Sequence, residues 1–225
     1  MISDRVLFID AEALVIDKPA GLAVHPGPST PRSLEDHLDA LRFGFQRKPT
    51  PVHRLDRDTS GCLLLARNPK AHRRFQQAFE EGRVEKLYWA VLEGVPEGES
   101  GTIDMPLAKT SSREAGWRMV PSPKGKHAVT HWQRLAVVDG RALVAFRPET
   151  GRTHQIRVHA ASGIGVPILG DPVYGRGGGG MLLHARGLKL ARDPKPAIDA
   201  VAPMPETFRA LGFVDEVGAV PATEG

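Results

Sequence analysis

Residues 51–68 read PVHRLDRDTSGCLLLARN, and this stretch restricts the fold of the 225-residue chain more tightly than any other. His53, Arg54, Asp56, Arg57 and Asp58 crowd together, Thr59, Ser60 and Gly61 follow, and positions 62–66 are apolar. A short apolar run bounded by a Thr-Ser-Gly turn reads as a buried strand. If residues 53–57 are extended, side chains two apart share a face, so Arg54 and Asp56 point one way and Leu55 the other. Most charge clusters are solvated turns. A carboxylate locked between Arg54 and Arg57 beside a core strand is instead held in a fixed place.

The chain is 41% hydrophobic, enough for a real core, and carries a net charge of +4. That mild excess permits a nucleic-acid partner without requiring one. Of the 30 basic residues, 21 are arginine, the side chain suited to bidentate phosphate contact and base stacking. Cys62 is the single cysteine, so no intrachain disulfide can form, and its apolar neighbours mark it as a buried small hydrophobe. The N-terminus has acidic residues at 4 and 10 and no long apolar stretch, which excludes a signal peptide. No run approaches the ~20 apolar residues of a membrane span. A cytoplasmic protein is expected.

Residues 6–16 predict two short strands, and residues 17–26, DKPAGLAVHP, predict a shaped loop with a brief strand at 22–24. Ser33 can cap a helix over 33–45, with Leu34, Leu38 and Leu41 on one face and Gly44 at its end. Asn68 and Pro69 start a second helix, striped by Ala71, Phe75, Ala78 and Phe79 and closed by Gly82. Residues 85–94 alternate as a strand, with Lys86, Tyr88 and Ala90 on one face. Residues 95–126 read as loops with short strands, made basic by Lys109, Arg113, Arg118, Lys124 and Lys126, with Trp117 among them. Such a mixture can grip RNA or can be a plain exposed loop. Strands at 130–138 and 141–147 pair through Asp139-Gly140, a favoured hairpin turn. His127 and His131 have helical metal-site spacing, but Val129 and Thr130 between them favour a strand, and no third ligand is near.

Residues 148–174, PETGRTHQIRVHAASGIGVPILGDPVY, form the second informative block. Thr150 or Thr153 can cap a short helix running to about 161, with Gly163 as its stop. His154, Arg157 and Val158 share a face of it. An inward-facing arginine there needs a carboxylate, because an unpaired buried charge is costly. Residues 175–180, GRGGGG, lack the Lys-Ser/Thr ending of a phosphate loop and read as a flexible loop. A strand at 181–185 and a short helix within 203–213 follow.

Four ordered segments resemble the RluA-type pseudouridine synthases. HRLDRDTSG matches that family's HRLDxxTSG signature at every specified position; DKPAGLAVHP resembles KPxGLxVHP, and EKLYWA resembles KxYxA. PETGRTHQIRVH with its GDPVYG tail resembles GRTHQIRxH and GxPIxGDxxYG. The resemblance covers roughly residues 14–213. It implies an α+β fold: a long mixed, mostly antiparallel sheet flanked by helices, with a cleft between two halves. A single catalytic domain over 1–213 and a disordered tail over 214–225 are expected, with no N-terminal RNA-binding domain before it.

The resemblance also implies the chemistry, isomerisation of uridine to pseudouridine within RNA, with no metal, nucleotide or redox cofactor. It makes Asp56, Tyr88 and Arg157 catalytic. Asp56 acts as nucleophile or carboxylate stabiliser, Arg157 pairs with it, and Tyr88 packs on the base. Arg54, His53, Arg57, Thr59, His154 and Arg152 are the expected RNA contacts, Arg54 helping to displace the target base. The expected partner is a tRNA or large-subunit rRNA stem-loop, met by a monomer without membrane or obligatory protein partner. Two other readings are a catalytically inactive RNA-binding module or RNA chaperone, and a glycosidase using Asp56 and Asp58 as its carboxylate pair.

Overall fold

The computed structural model describes residues 1–27, 30–112 and 116–215. A 3-10 turn at Ile2–Arg5 leads into the antiparallel strands β1 (Val6–Ile9) and β2 (Ala13–Lys18), the pair anticipated within residues 6–16. Asp10 closes their connection by accepting the backbone N–H groups of Glu12 at 2.8 Å and Ala13 at 2.7 Å. Residues 22–24 make a single bridge, Ala23 to Ser33, rather than a strand. Ser33 does cap the next segment, accepting from the Glu35 N–H at 3.2 Å. That segment is a 3-10 helix, Leu34–Leu41, and stops short of the expected 45. Its three leucines are buried as the spacing required. Arg67 ends it, because its guanidinium donates to the carbonyls of Arg42 and Phe43 at 3.0 and 3.1 Å.

Strand β3 (Thr50–Pro51) and strand β4 (Ser60–Ala66) flank residues 52–59, which form a loop and turn rather than a strand. Leu55 still faces the core while Arg54 is exposed. Helix α1 (Pro69–Glu80) starts at Asn68, whose Oδ1 accepts from the Ala71 N–H at 2.9 Å, and it buries Ala71, Phe75 and Ala78. Strand β5 (Val84–Leu92) follows. Residues 95–126 carry the short strands expected among their loops. They hold β6 (Ser100–Asp104) and the hairpin of β7 (Leu107–Ser112) and β8 (Gly116–Pro121), with Arg113 outside the described residues. Strands β9 (Val129–Val138) and β10 (Arg141–Pro148) pair around Asp139 and Gly140, both at positive φ, as a right-twisted hairpin requires.

The helix expected after residue 150 is broken in two. Helix α2 (Gln155–Val158) passes into a π-helical turn, His159–Ile164. Neither threonine caps it: His154 occupies the N-cap in the left-handed region, φ 54°. The turn ends at Gly165, not Gly163. Gly163 serves packing instead, since a Cβ there would meet Ile103 at 2.7 Å. Strands β11 (Leu183–Arg192) and β12 (Lys195–Val201) and helix α3 (Glu206–Arg209) complete the chain, β11 beginning two residues later than the strand expected at 181. Of the tail expected to be disordered from 214, Val214 and Asp215 are placed, Asp215 accepting from Arg186 at 2.6 Å; residues 216–225 lie outside the described residues.

Ten strands form one sheet in the order β1-β2-β4-β11-β5-β10-β9-β6, with β12 beside β11 and β3 beside β4. Every pairing is antiparallel except β4 with β11. The result is the expected α+β architecture. The parallel seam depends on Gly61, at φ 104°, because a Cβ there would lie 2.2 Å from the Ala185 carbonyl oxygen. One core packs Leu14, Ile16, Leu63 and Leu65 against Phe75 of α1; a second packs Val144 and Phe146 against Ile156 and Ile168. Tyr88 touches both, and its neighbours Trp89 and Val91 turn to a third cluster under Phe208 of α3. No helix of the described residues is long and apolar enough to cross a membrane.

Candidate active site

The loop bearing Asp56 has no sheet partners, so its position comes from elsewhere. Lys18, wholly buried at the end of β2, donates through Nζ to the carbonyls of Pro19 (2.9 Å), Leu22 (2.7 Å) and Arg57 (3.0 Å). This ammonium ties the 17–26 loop to the Asp56 loop across 39 residues of sequence. Desolvation pushes its pKa down to about 8, with Asp58 and Asp56 opposing, so it stays cationic at neutral pH. The Thr59 N–H donates to the Asp56 carbonyl at 3.1 Å and closes the turn into β4.

Asp56 is not clamped by Arg54 and Arg57. Its carboxylate receives Nη1 of Arg157 at 3.0 Å, an arginine 101 residues downstream on α2. The expected Asp56–Arg157 pair is therefore formed. Arg157 is 5% exposed and has a second partner that the sequence reading missed. Asp171, fully buried, accepts Nε at 2.7 Å and Nη2 at 2.8 Å, and Oδ1 also takes the N–H groups of Val173 and Tyr174. Burial alone would raise the Asp171 pKa, but these donors hold it below the usual carboxylate value. The arithmetic of donors was the available signal: a guanidinium has five N–H groups, and one aspartate cannot satisfy them.

Asp56 and Arg157 sit on the wall of a cavity of about 150 Å³, which Thr59, Tyr88, Lys86 and His154 also line. Arg54 and Arg152 stand exposed at its edge. Burial, reinforced by the Asp56 charge, pushes the Tyr88 phenol up, so it keeps its proton at neutral pH. Lys86, which had no assigned role, donates to the carbonyls of Glu149 and Thr150, and burial lowers its pKa to about 8. His154 lies with Nε2 at 3.7 Å from Asp56. Its pKa is lowered by burial first and by Arg157 next, against Asp56, which leaves the ring neutral at pH 7. The Tyr174 hydroxyl accepts from the Met119 N–H at 3.0 Å and lies 3.0 Å from His154 Nδ1. The Asp56 carboxylate facing Nε2 favours the tautomer with its hydrogen there, which leaves Nδ1 to accept from the Tyr174 hydroxyl.

Three sequence candidates fall outside this cavity. His53 turns inward: its Nε2 accepts from the Leu64 N–H at 3.0 Å, and its ring stacks on Phe79 at 4.5 Å. Burial drives its pKa down to about 3. Arg57 is exposed and pairs with Asp58 at 3.0 Å. Asp58 borders a different hollow, with Asp17 and Ser60, so it cannot form a carboxylate pair with Asp56 across one substrate. His127 and His131 are likewise apart in partnership, with Asp104 at 3.4 Å and with Glu149 at 2.6 Å.

A family model described as RNA pseudouridylate synthase matches residues 12–162, a span that holds Asp56, Tyr88 and Arg157 and ends before Asp171. An uncharacterized RNA pseudouridine synthase of Zymomonas mobilis is 60% identical over 217 residues, covering 95% of this chain and 99% of that protein. A ribosomal large subunit pseudouridine synthase D of the same organism is 38% identical over 76% of this chain, which spans 56% of that protein's length. Among solved structures, human RNA pseudouridylate synthase domain containing 4 superposes with a TM-score of 0.78 at 28% identity, covering 92% of this chain and 91% of its own.

Proposed function

The chain belongs to the RNA pseudouridylate synthase family, a family of isomerases, and we propose that it converts particular uridines of structured RNA to pseudouridine with Asp56 as the reacting carboxylate. One observation carries the reading: the Asp56 carboxylate, held by Arg157, lines a small cavity together with a neutral tyrosine, Tyr88. Drug-sized ligands need roughly 300 Å³ or more; this cavity suits one base turned out of its stack.

The isomerisation breaks the bond from N1 of uracil to C1′ of the ribose. The base turns, C5 bonds to C1′, the C5 proton leaves and N1 ends protonated, so no atom is gained or lost. In this reading Asp56 supplies the negative charge that the reaction uses as nucleophile or stabiliser. Arg157 fixes its direction through a charge-assisted hydrogen bond. Tyr88 packs on the base and, keeping its proton, serves as a hydroxyl rather than a phenolate. Arg54 at the mouth displaces the base, and Arg152 and Lys86 meet phosphate. The target is a stem-loop of tRNA or large-subunit rRNA; the ribosomal name of one relative supports the latter.

The test is direct. Transcripts labelled with tritium at C5 of uridine release it to water when C5 joins the ribose. Purified protein is expected to release it without added cofactor. A protein that binds the transcripts and releases none is an inert RNA-binding module, and the reading fails. Pseudouridine maps of total RNA with and without the gene then name the site.

A further inference from the structure

The hairpin of β7 and β8 carries a feature that the isomerisation does not use. Trp117 is 49% exposed, an unusual state for a large aromatic on a strand. It stacks on His154, ring centroids 5.0 Å apart and planes at 29°. Lys109 Nζ lies 5.2 Å from the centroid of the same indole. The hairpin is anchored rather than loose. Leu107 is buried with Ala128 and Val158, and the Met119 N–H donates to the Tyr174 hydroxyl, which also meets His154. The path outward from the carboxylate therefore runs Asp56, His154, Trp117. His154 shows 10% of its side chain to solvent and has little surface left to offer. The first open aromatic surface beyond the cavity is the indole.

We propose that Trp117 is the stacking platform for the nucleobase next to the target uridine, with Lys109, which lies over the indole, swinging off the ring to meet that nucleotide's phosphate. The proposal rests on the RNA-isomerase reading and deepens it. A cavity that holds one ring forces the neighbouring nucleotide to stay outside. That nucleotide has lost its stacking partner when the target base turns away, and the indole replaces the lost contact. Every base has a flat π-face, so the subsite accepts purines and pyrimidines alike and contributes affinity rather than sequence choice. A platform on an anchored hairpin costs little ordering on binding.

The experiment uses the full-length protein and a short fluorescein-labelled oligouridylate at low salt. Trp117→Ala is expected to raise the Kd about 5- to 150-fold, the range of a lost base–aromatic stack, while Trp117→Phe keeps most of the affinity. RNA added to the wild type is expected to quench tryptophan fluorescence, and the quenching is expected to vanish in Trp117→Phe. Thermal melts confirm that each variant is folded. Undiminished affinity in Trp117→Ala, or equal weakening by Ala and Phe, overturns the platform. So does a wild type that ignores oligouridylate. Tritium release from labelled transcripts is scored separately, so loss of the platform leaves the isomerase reading standing, and absence of release sinks that reading by itself.

Discussion

Asp171 grips Arg157 through two parallel hydrogen bonds, Nε to Oδ2 at 2.7 Å and Nη2 to Oδ1 at 2.8 Å, and so leaves Nη1 to reach Asp56. One guanidinium thus serves a carboxylate with 0% side-chain exposure and another with 22%. The buried pair is the frame, and the cavity pair is what the frame holds in place. Arg157 without Asp171 could rotate toward Asp56 and change the direction from which the carboxylate is held.

Asp171→Asn tests the frame. The amide offers one acceptor where the carboxylate offered two, and it leaves a buried cation short of charge. Breaking one side of a buried pair typically costs about 3–5 kcal/mol. Chemical denaturation is expected to show a loss of that order, and tritium release to fall while RNA binding persists in the folded fraction. Wild-type stability and turnover in this variant would refute the framing role.

His53 makes stability depend on pH. Folded, it stays neutral down to about 3, because burial opposes charging and Nε2 is occupied by the Leu64 N–H. Unfolded, it takes up a proton below its ordinary value near 6.5. The unfolded state therefore binds the extra proton between those values, and stability falls as pH drops from about 6.5 toward 3. His184, lowered to about 4 by burial, adds to the same slope. Replacing His53 with Gln is expected to flatten the decline by about 1.4 kcal/mol per pH unit within that window. Denaturation midpoints at pH 7, 6 and 5 provide the check, and parallel curves would show that the His53 proton is not the cause.

Much of this architecture could be read in advance because local chemistry and tertiary context agree. Asn68-Pro69 with an apolar stripe can only start a helix, and Asp139-Gly140 between alternating strands can only turn. The misreadings came where one residue obeys a distant partner. His53 belongs to the charged motif by sequence, yet Leu64 and Phe79 draw it into the core. Asp171 lies between Gly170 and Pro172 and drew no reading of its own, yet Arg157 makes it a buried anion. Strands β7 and β8 bury few side chains, so no apolar alternation marked them. Leucines at 34, 38 and 41 have α-helical spacing, yet the segment is a 3-10 helix, and Arg67 just after β4 binds the carbonyls of Arg42 and Phe43 beyond its end.

Arg54 is exposed at the edge of the cavity, where it can touch RNA without touching the bonds that change. If it serves base displacement, its loss matters most when the base must be unpaired. Unstacking costs a few kcal/mol in a structured stem-loop and less in a flexible strand. Arg54→Ala is expected to slow tritium release from a stem-loop more than from an unstructured oligonucleotide of the same sequence. Equal slowing on both substrates would reject the role.

Asp56→Asn separates enzyme from binding module. The change keeps size and shape but removes the charge, and an amide is no nucleophile, so tritium release is expected to drop below detection. RNA binding is expected to hold or tighten, because a negative charge near the phosphates is gone. Stability is expected to change less than in Asp171→Asn. Arg157 keeps two hydrogen bonds to Asp171, and the amide oxygen can still accept from Nη1 at a partly open site, so only part of the about 1.5–3 kcal/mol of a charged hydrogen bond is lost. Melts and RNA-binding curves on the same preparation establish that the variant is folded and competent to bind. A folded Asp56→Asn protein that still forms pseudouridine at the wild-type rate would remove Asp56 from the chemistry and, with it, the reason for the buried Arg157–Asp171 frame behind it.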